Sequence, residues 1–128
     1  MSNVSSEIIN SIQLSKIIVV LVIEDDSKAS DLIDCLYDSG IKNYEIALRT
    51  NNSRKSADII LKKGLDINLG LGTVLTIDDV NFAADIGANF ALAPGTNKTV
   101  IDEANRLNLP FFPGVCTPSD IEKIGRAH

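Results

Sequence analysis

The sequence predicts an α/β fold that forms part of a (β/α)8 barrel of the TIM type, with about five βα units in an open, curved parallel sheet. Two observations support this prediction. Short apolar segments alternate with amphipathic segments of helical periodicity, in units of roughly 22–25 residues. The run Ile17–Ile23 is continuously apolar and rich in β-branched residues, which is typical of a parallel strand covered on both faces.

Chain length limits the architecture. A complete barrel needs about 250 residues, with about 200 near the lower limit, whereas this chain has 128. The sequence therefore holds roughly five of the eight units and cannot close a barrel. An open doubly wound sheet fits the same alternation and is the alternative architecture.

Strands and helices are predicted in strict alternation along the chain. The predicted strands are 17–23, 44–50, 66–71, 89–93 and 109–112. The predicted helices are a short one capped by Ser5-Ser6-Glu7 and ending near Leu14, then 27–39, 53–63, 77–86 and 97–107, and a last turn from Ser119. Their ends are marked by the caps Asp26 or Ser27 and Thr76, and by the stop residues Gly40, Gly64 and Gly87.

Composition indicates one acidic globular domain. The formal charge is −5 and 45% of the residues are hydrophobic, so no basic stripe is available to bind nucleic acid. The run Ile17–Ile23 is too short to span a bilayer, and the N-terminus lacks the features of a signal peptide. Cys35 and Cys116 follow no redox or metal-binding spacing, so we expect reduced thiols and a cytoplasmic protein. The only histidine is His128, and no metal site is expected.

The segment Tyr44–Thr50 carries an acid and a base on an otherwise apolar strand. Glu45, Ala47 and Arg49 share one face if the segment is extended. Charged side chains on an inward face are costly to bury unless they are paired or used. Their Cα atoms would lie roughly 13 Å apart, so the two side chains fit opposite ends of a small anionic ligand better than each other. Pairing of each charge with another strand is the alternative.

Small and hydroxyl residues follow the predicted strands at their carboxyl ends, where α/β proteins of both architectures bind ligands. These loops are 49–52, 70–75, 93–96 and 113–119. Each alone is compatible with an ordinary βα turn, but four in one layer favour a binding site. The sequence has no GxGxxG, P-loop or nucleophile-elbow motif, which disfavours nucleotide binding and serine hydrolase chemistry.

Together these segments resemble the class I aldolases that cleave 2-keto-3-deoxy-6-phosphogluconate (KDPG), including members that also cleave 4-hydroxy-2-oxoglutarate (KHG). The matching segments are 20–23, 45–50, 70–75, 93–95 and 113–119. The resemblance implies a TIM barrel, a homotrimeric full-length protein, a small keto-acid substrate and no cofactor. It implies that Glu45 is the general acid/base, that Arg49 holds the pyruvate carboxylate and that Thr73 lines the same pocket. Further candidate pocket-lining residues are Pro94, Gly95 and Thr117.

The nucleophile that the resemblance implies is missing from the chain. In this chemistry a lysine condenses with the substrate ketone, and the iminium accepts electrons during C–C cleavage while a carboxylate moves protons. Lys16 precedes the first strand, Lys42 lies at the wrong end of the second, and the other lysines fall on predicted helices. In the family this Schiff-base lysine lies on strand six, beyond residue 128, so we expect the chain alone to lack turnover.

The last residues, 124–128, are interpreted as foreign to the aldolase-like domain of residues 1–123. They break the apolar pattern expected there and match one frame of a sequencing adapter, ATC GGA AGA GCA CAC. A natural polar tail is the alternative.

Two other functions compete with the aldolase interpretation. One is a different phosphate-binding TIM-barrel enzyme, similar to indole glycerol phosphate synthase, and the sequence of the next strand would discriminate. The other is a non-catalytic half-barrel that serves as a binding module, which predicts a chain that folds alone.

Overall fold

The computed structural model describes residues 6–125. Its strands are β1 (Val19–Leu21), β2 (Asn43–Ala47), β3 (Asn68–Gly72), β4 (Phe90–Ala93) and β5 (Phe111–Pro113). Its helices are α1 (Ser6–Ser15), α2 (Ala29–Asp38), α3 (Ser53–Lys62), α4 (Ile77–Asp85), α5 (Lys98–Arg106) and α6 (Pro118–Lys123), with a 3-10 turn at Asp26–Lys28. The predicted cap residue Ser5 lies outside the described residues, as do Arg126, Ala127 and His128 of the predicted foreign tail.

The strands form one parallel sheet whose spatial order follows the chain, β1-β2-β3-β4-β5. This order confirms the predicted fold class. A doubly wound sheet would reverse its strand order at a switch point, so that alternative is wrong. Within residues 6–125 the sheet is open, with β1 and β5 at its edges.

Helices cover one face of the sheet and build the core there. Tyr44, Ile46 and Leu71 are fully buried on this face and belong to one apolar cluster with Ile33 of α2 and Ile60 of α3. The packing role predicted for alternate residues of the second strand is therefore confirmed. No helix within residues 6–125 combines the length and the apolarity that crossing a bilayer requires.

The opposite face of the sheet, here called the inner face, carries the site residues. Parallel register places Val20, Glu45, Gly70 and Phe90 side by side in one row across β1 to β4. The Phe90 ring packs edge-on against Phe112 of β5, with centroids 5.9 Å apart and an interplanar angle of 83°. Two aromatic rings thus form an apolar patch on the inner face beside the glycines of β3.

The first strand is shorter and less covered than predicted. Val20 and Val22 are 53% and 51% exposed, whereas Leu21 and Ile23 are buried against the helices. The expectation that the run is covered on both faces is wrong for the described chain, because nothing within residues 6–125 covers the inner side of this edge strand.

Two helices that follow strands begin with the same capping arrangement. Thr76 caps α4 and Thr117 caps α6, and each forms a capping box with an aspartate three residues later. The cap predicted at Thr76 is confirmed. The last helix begins at Pro118 and not at Ser119, because the cap is the threonine before the proline. The 3-10 turn before α2 is capped by Asp25, one residue before the predicted cap.

Helix α1 is fastened to the amino-terminal ends of the strands by a buried amide. Asn43 is fully buried and accepts hydrogen bonds from Ser11 Oγ over 3.0 Å and Asn68 Nδ2 over 2.8 Å. Its own Nδ2 donates to Ser15 Oγ over 2.8 Å. A satisfied polar network of this kind fixes one arrangement, so α1 is held at the end of the sheet away from the candidate site.

Candidate active site

Glu45 lies in the middle of β2 with its side chain on the inner face, between Tyr44 and Ile46, which face the helices. The side chain is partly buried. Burial raises the pKa of the Glu45 carboxyl above its ordinary value, and the positive charge of Arg49 opposes this effect without cancelling it. A carboxyl with a raised pKa exchanges protons closer to neutral pH, which suits general acid–base chemistry.

Arg49 reaches the site from a turn and not from the strand. β2 ends at Ala47, and the Arg49 N–H donates to the Ala47 carbonyl over 2.8 Å. The predicted strand to Thr50 is therefore too long, and strand alternation does not place the Arg49 side chain. Arg49 Nε donates to Thr73 Oγ1 over 3.3 Å, so the structure does bring these two predicted binding residues together.

The turn that carries Arg49 is fastened at both ends by hydroxyl side chains. Thr50 Oγ1 donates to the Ile23 carbonyl over 2.6 Å, and Ser53 Oγ donates to the Ala47 carbonyl over 3.0 Å. These bonds tie the turn to the carboxyl ends of β1 and β2. This clamp was not predicted from the sequence, although Thr50 and Ser53, two hydroxyl residues three positions apart shortly after a strand, were a signal for it.

Thr73 follows β3 in an unusual backbone conformation. Its φ is +60°, in the left-handed region that is rare for a β-branched residue. Such a conformation costs about 1–3 kcal/mol and is held here by the surrounding ladder, since the Val74 N–H donates to the Leu92 carbonyl over 3.0 Å. Backbone strain at a predicted binding residue is typical of functional sites.

The other predicted lining residues are not shown in contact with Glu45. Pro94 and Gly95 lie exposed in the loop after β4. The Thr117 hydroxyl accepts the Asp120 N–H in the capping box of α6. Their assignment as pocket-lining residues stays a prediction.

Seven lysines of the described chain form ion pairs with aspartates and not with Glu45. Lysine–aspartate ion pairs join Lys28 to Asp25, Lys42 to Asp66, Lys55 to Asp26, Lys62 to Asp58, Lys63 to Asp34, Lys98 to Asp102 and Lys123 to Asp120. Among residues 6–125, Arg49 is the charged group that perturbs the pKa of Glu45, and no lysine does so. The same residues contain no group of three or more side chains placed to hold a metal ion.

The described site combines a partly buried acid in the middle of a parallel strand with an arginine–threonine pair at the carboxyl end of the sheet, and it can be compared with known proteins. The family model described as KDPG and KHG aldolase matches residues 8–126. The chain belongs to the KDPG and KHG aldolase family. This is a family of carbon–carbon lyases, and the match decides against the indole glycerol phosphate synthase-like alternative.

Curated relatives of this chain are longer than the chain itself. The 2-dehydro-3-deoxy-phosphogluconate aldolase of Haemophilus influenzae is 30% identical over 122 residues, and that of Treponema pallidum is 29% identical over 116 residues. The matches cover 95% and 91% of this chain but 58% and 55% of the relatives. The chain thus spans just over half the length of the curated relatives it matches.

Solved aldolase structures share the fold. The KDPG aldolase of Zymomonas mobilis, solved with 3-phosphoglycerate, superposes with a TM-score of 0.85 at 26% identity, over 98% of this chain and 60% of that one. The KDPG aldolase of Legionella pneumophila, with pyruvate captured as a covalent carbinolamine, gives a TM-score of 0.79 at 29% identity, over 87% and 54%. The open five-stranded sheet therefore matches part of the fold of these aldolases.

Proposed function

We propose that this chain supplies the acid–base part of a class I aldolase site that cleaves KDPG to pyruvate and glyceraldehyde 3-phosphate. KHG, cleaved to pyruvate and glyoxylate, is the second candidate substrate. The observation that carries the proposal is Glu45, a partly buried carboxyl on the inner face whose pKa is raised by burial. An acid in this position costs stability, which is explained if the acid takes part in the reaction.

Glu45 moves protons in the proposed reaction. A lysine amine that this chain does not contain condenses with the C2 ketone, with loss of water, to give an iminium. The C3–C4 bond then breaks, its electron pair moves towards the iminium nitrogen, and Glu45 accepts the proton of the C4 hydroxyl as the aldehyde leaves. Glu45 returns a proton to C3 of the enamine, and hydrolysis releases pyruvate and the free lysine. The carbinolamine captured in the Legionella relative supports amine addition to pyruvate.

Arg49 and Thr73 are proposed to bind the carboxylate of the pyruvate part of the substrate. A guanidinium matches a carboxylate with two parallel hydrogen bonds. The Thr73 hydroxyl, which accepts from Arg49 Nε over 3.3 Å, keeps its own proton free to donate. The pair can therefore orient the substrate with its ketone towards Glu45, while the exposed remainder of the guanidinium stays available.

The proposed setting is a cytoplasmic homotrimer of the full-length protein. Cys35 and Cys116 are both free thiols on the surface, which agrees with a reducing compartment. The chain alone is proposed to be inactive, because its lysines lie outside the site. Residues 124–128 are still proposed to be foreign, although Ile124 packs against the edge of the core.

A complemented barrel tests the proposed function. Residues 6–123 of this chain would be joined to the carboxyl-terminal part of the Haemophilus influenzae relative that the chain does not match. We expect this barrel to release pyruvate from KDPG and to form a borohydride-trappable adduct with pyruvate, whereas the 128-residue chain does neither.

Glu45→Gln is the decisive variant of the complemented barrel. It should lower kcat at least 100-fold, because a proton carrier is lost, while pyruvate is still trapped. Glu103→Gln, on the outer helix α5, is the matched control and should retain normal turnover. Undiminished cleavage in Glu45→Gln, or a borohydride adduct on a lysine of the 128-residue chain, would contradict the proposal.

A further inference from the structure

We propose that Gly72 is a positioning residue for Glu45, because the missing side chain at Gly72 lets the Glu45 carboxyl lie across β3 and point towards Arg49 and Thr73. This inference rests on the proposed function only for the role of Glu45 in proton transfer. The spatial relationship itself is a feature of the described chain.

The position that a side chain at Gly72 would occupy is already filled by the carboxyl of Glu45. A Cβ added to Gly72 would overlap Glu45 Oε1 and would lie 2.5 Å from Glu45 Cδ and 2.9 Å from Glu45 Cγ. The three nearest atoms thus all belong to one side chain. Alanine at Gly72 would therefore force the carboxyl of Glu45 out of its present position.

Strand register explains why the carboxyl needs this space. The partner of Glu45 on β3 is Gly70, whereas Gly72 is the partner of Ala47. The carboxyl consequently extends from the row of its own Cα to the next row, roughly 7 Å nearer the carboxyl ends of the strands. Thr73 is the next residue after Gly72, so the extended carboxyl points to the end of the sheet where the arginine–threonine pair lies.

Gly70 provides a matched case on the same strand and the same face. The three atoms nearest to a Cβ added at Gly70 all belong to the Phe90 ring. The two glycines of β3 thus make room for different groups, an aromatic ring in one row and a carboxyl in the next. Alanine at Gly70 conflicts with a buried ring that has little room to move, whereas alanine at Gly72 conflicts with the flexible Glu45 side chain and displaces its carboxyl.

A thermal unfolding cycle on the complemented barrel separates the two cases. The Glu45 side chain is flexible and can swing away from a new methyl group, so Gly72→Ala should lower Tm by about 2–4 °C when residue 45 is glutamate, and by less than about 1 °C in a Glu45→Ala background. Gly70→Ala should lower Tm by the same amount in both backgrounds. If Gly72→Ala folds only in the Glu45→Ala background, the coupling is also demonstrated. Equal losses for Gly72→Ala in both backgrounds, or failure to fold in both, would overturn the inference.

The complemented barrel supplies a readout that a merely structural role would not change. Gly72→Ala should lower kcat about 10–100-fold with KM within about threefold of the parent, since positioning acts on the chemical step. The pH–rate limb that reports Glu45 should move to lower pH, because the displaced carboxyl is more hydrated. If Gly72→Ala has the same kcat and the same pH–rate profile as the parent barrel, the inference is overturned. If the barrel shows no turnover, the proposed function fails, and the unfolding cycle still decides the role of Gly72.

Discussion

Arg49 Nε donates a hydrogen bond to Thr73 Oγ1 over 3.3 Å, which joins the turn after β2 to the residue that follows β3. The two residues are 24 positions apart and come from neighbouring βα loops. Thr73 adopts a φ of +60°, so its hydroxyl is presented by a backbone conformation that most residues avoid. The hydrogen bond restricts the orientation of both side chains, so the pair forms a more ordered side of the candidate site than either residue would alone.

Thr73→Val tests this pair in the complemented barrel. Valine keeps the β-branched shape and hence the backbone strain, but it removes the hydroxyl. We expect KM for KDPG to rise about 10-fold, because about one hydrogen bond to a charged group is lost, with a smaller effect on kcat. Thr73→Ser retains the hydroxyl and should keep KM within about threefold of the parent. Equal KM values for the valine and parent proteins would remove Thr73 from the binding site.

Thr50→Val tests the clamp that holds the Arg49 turn. The Thr50 hydroxyl donates to the Ile23 carbonyl over 2.6 Å in a partly buried position, so its loss leaves an acceptor unpaired. Denaturant titration should show a loss of about 1–2 kcal/mol in the free energy of unfolding, and KM should rise as the turn loosens. Thr99→Val changes an exposed threonine on α5 and should alter stability by less than about 0.5 kcal/mol. Equal losses for the two variants would argue against the clamp.

Glu45→Gln should change how stability depends on pH. Burial raises the pKa of Glu45 above its ordinary value, against the opposing charge of Arg49. A group with a raised folded-state pKa contributes stability below its unfolded pKa and loses that contribution as pH rises through its folded pKa. The Glu45→Gln variant should therefore melt about 1–4 °C above the parent at pH 8. This advantage should shrink as the pH falls through the raised folded-state pKa of Glu45 and should be lost below the unfolded pKa of about 4.3. A gap of constant size, or one that grows in acid, would contradict the raised pKa.

Much of the fold could be predicted because its signals are local. Alternating apolar periodicity predicted the five strands, and a threonine directly before a helical segment predicted the cap at Thr76. Periodicity alone did not decide the strand order, because it also fits a doubly wound sheet. Local patterns failed where the chain leaves a regular element. Arg49 lies in a turn, so strand alternation does not place it. The continuous apolar run Ile17–Ile23 predicts a strand covered on both faces, but its inner side is exposed within the described residues.

Only part of the candidate site could be predicted from the sequence. Glu45, Arg49 and Thr73 have functional groups that identify them as candidates, whereas Gly72 has no side chain and contributes only the space that Glu45 occupies. Whether a glycine serves a turn, a ring or a carboxyl depends on which neighbour fills its Cβ position, and that follows from register between strands. Gly70 and Gly72 look equivalent in the sequence, yet one accommodates Phe90 and the other Glu45.

Asp79→Asn tests how the loop after β3 is held at the start of α4. One carboxylate oxygen of Asp79 accepts from the N–H groups of Leu75 and Thr76 over 3.1 and 3.0 Å, and the other accepts from Arg54 over 2.8 Å. Burial alone would raise the pKa of Asp79, but these bonds outweigh it and hold the pKa below its ordinary value, so the stability they provide exists above the unfolded pKa of about 3.9 and is lost in acid. Denaturant titration at pH 7 should show a loss of about 1–2 kcal/mol in the free energy of unfolding for Asp79→Asn.

Asp78→Asn is the control, because it removes the charge of an 82% exposed side chain that binds the same arginine. It should lower the free energy of unfolding by less than about 0.5 kcal/mol. Equal losses for the two variants, or a gap for Asp79→Asn that persists unchanged below the pKa, would show that the capping box does not hold this loop.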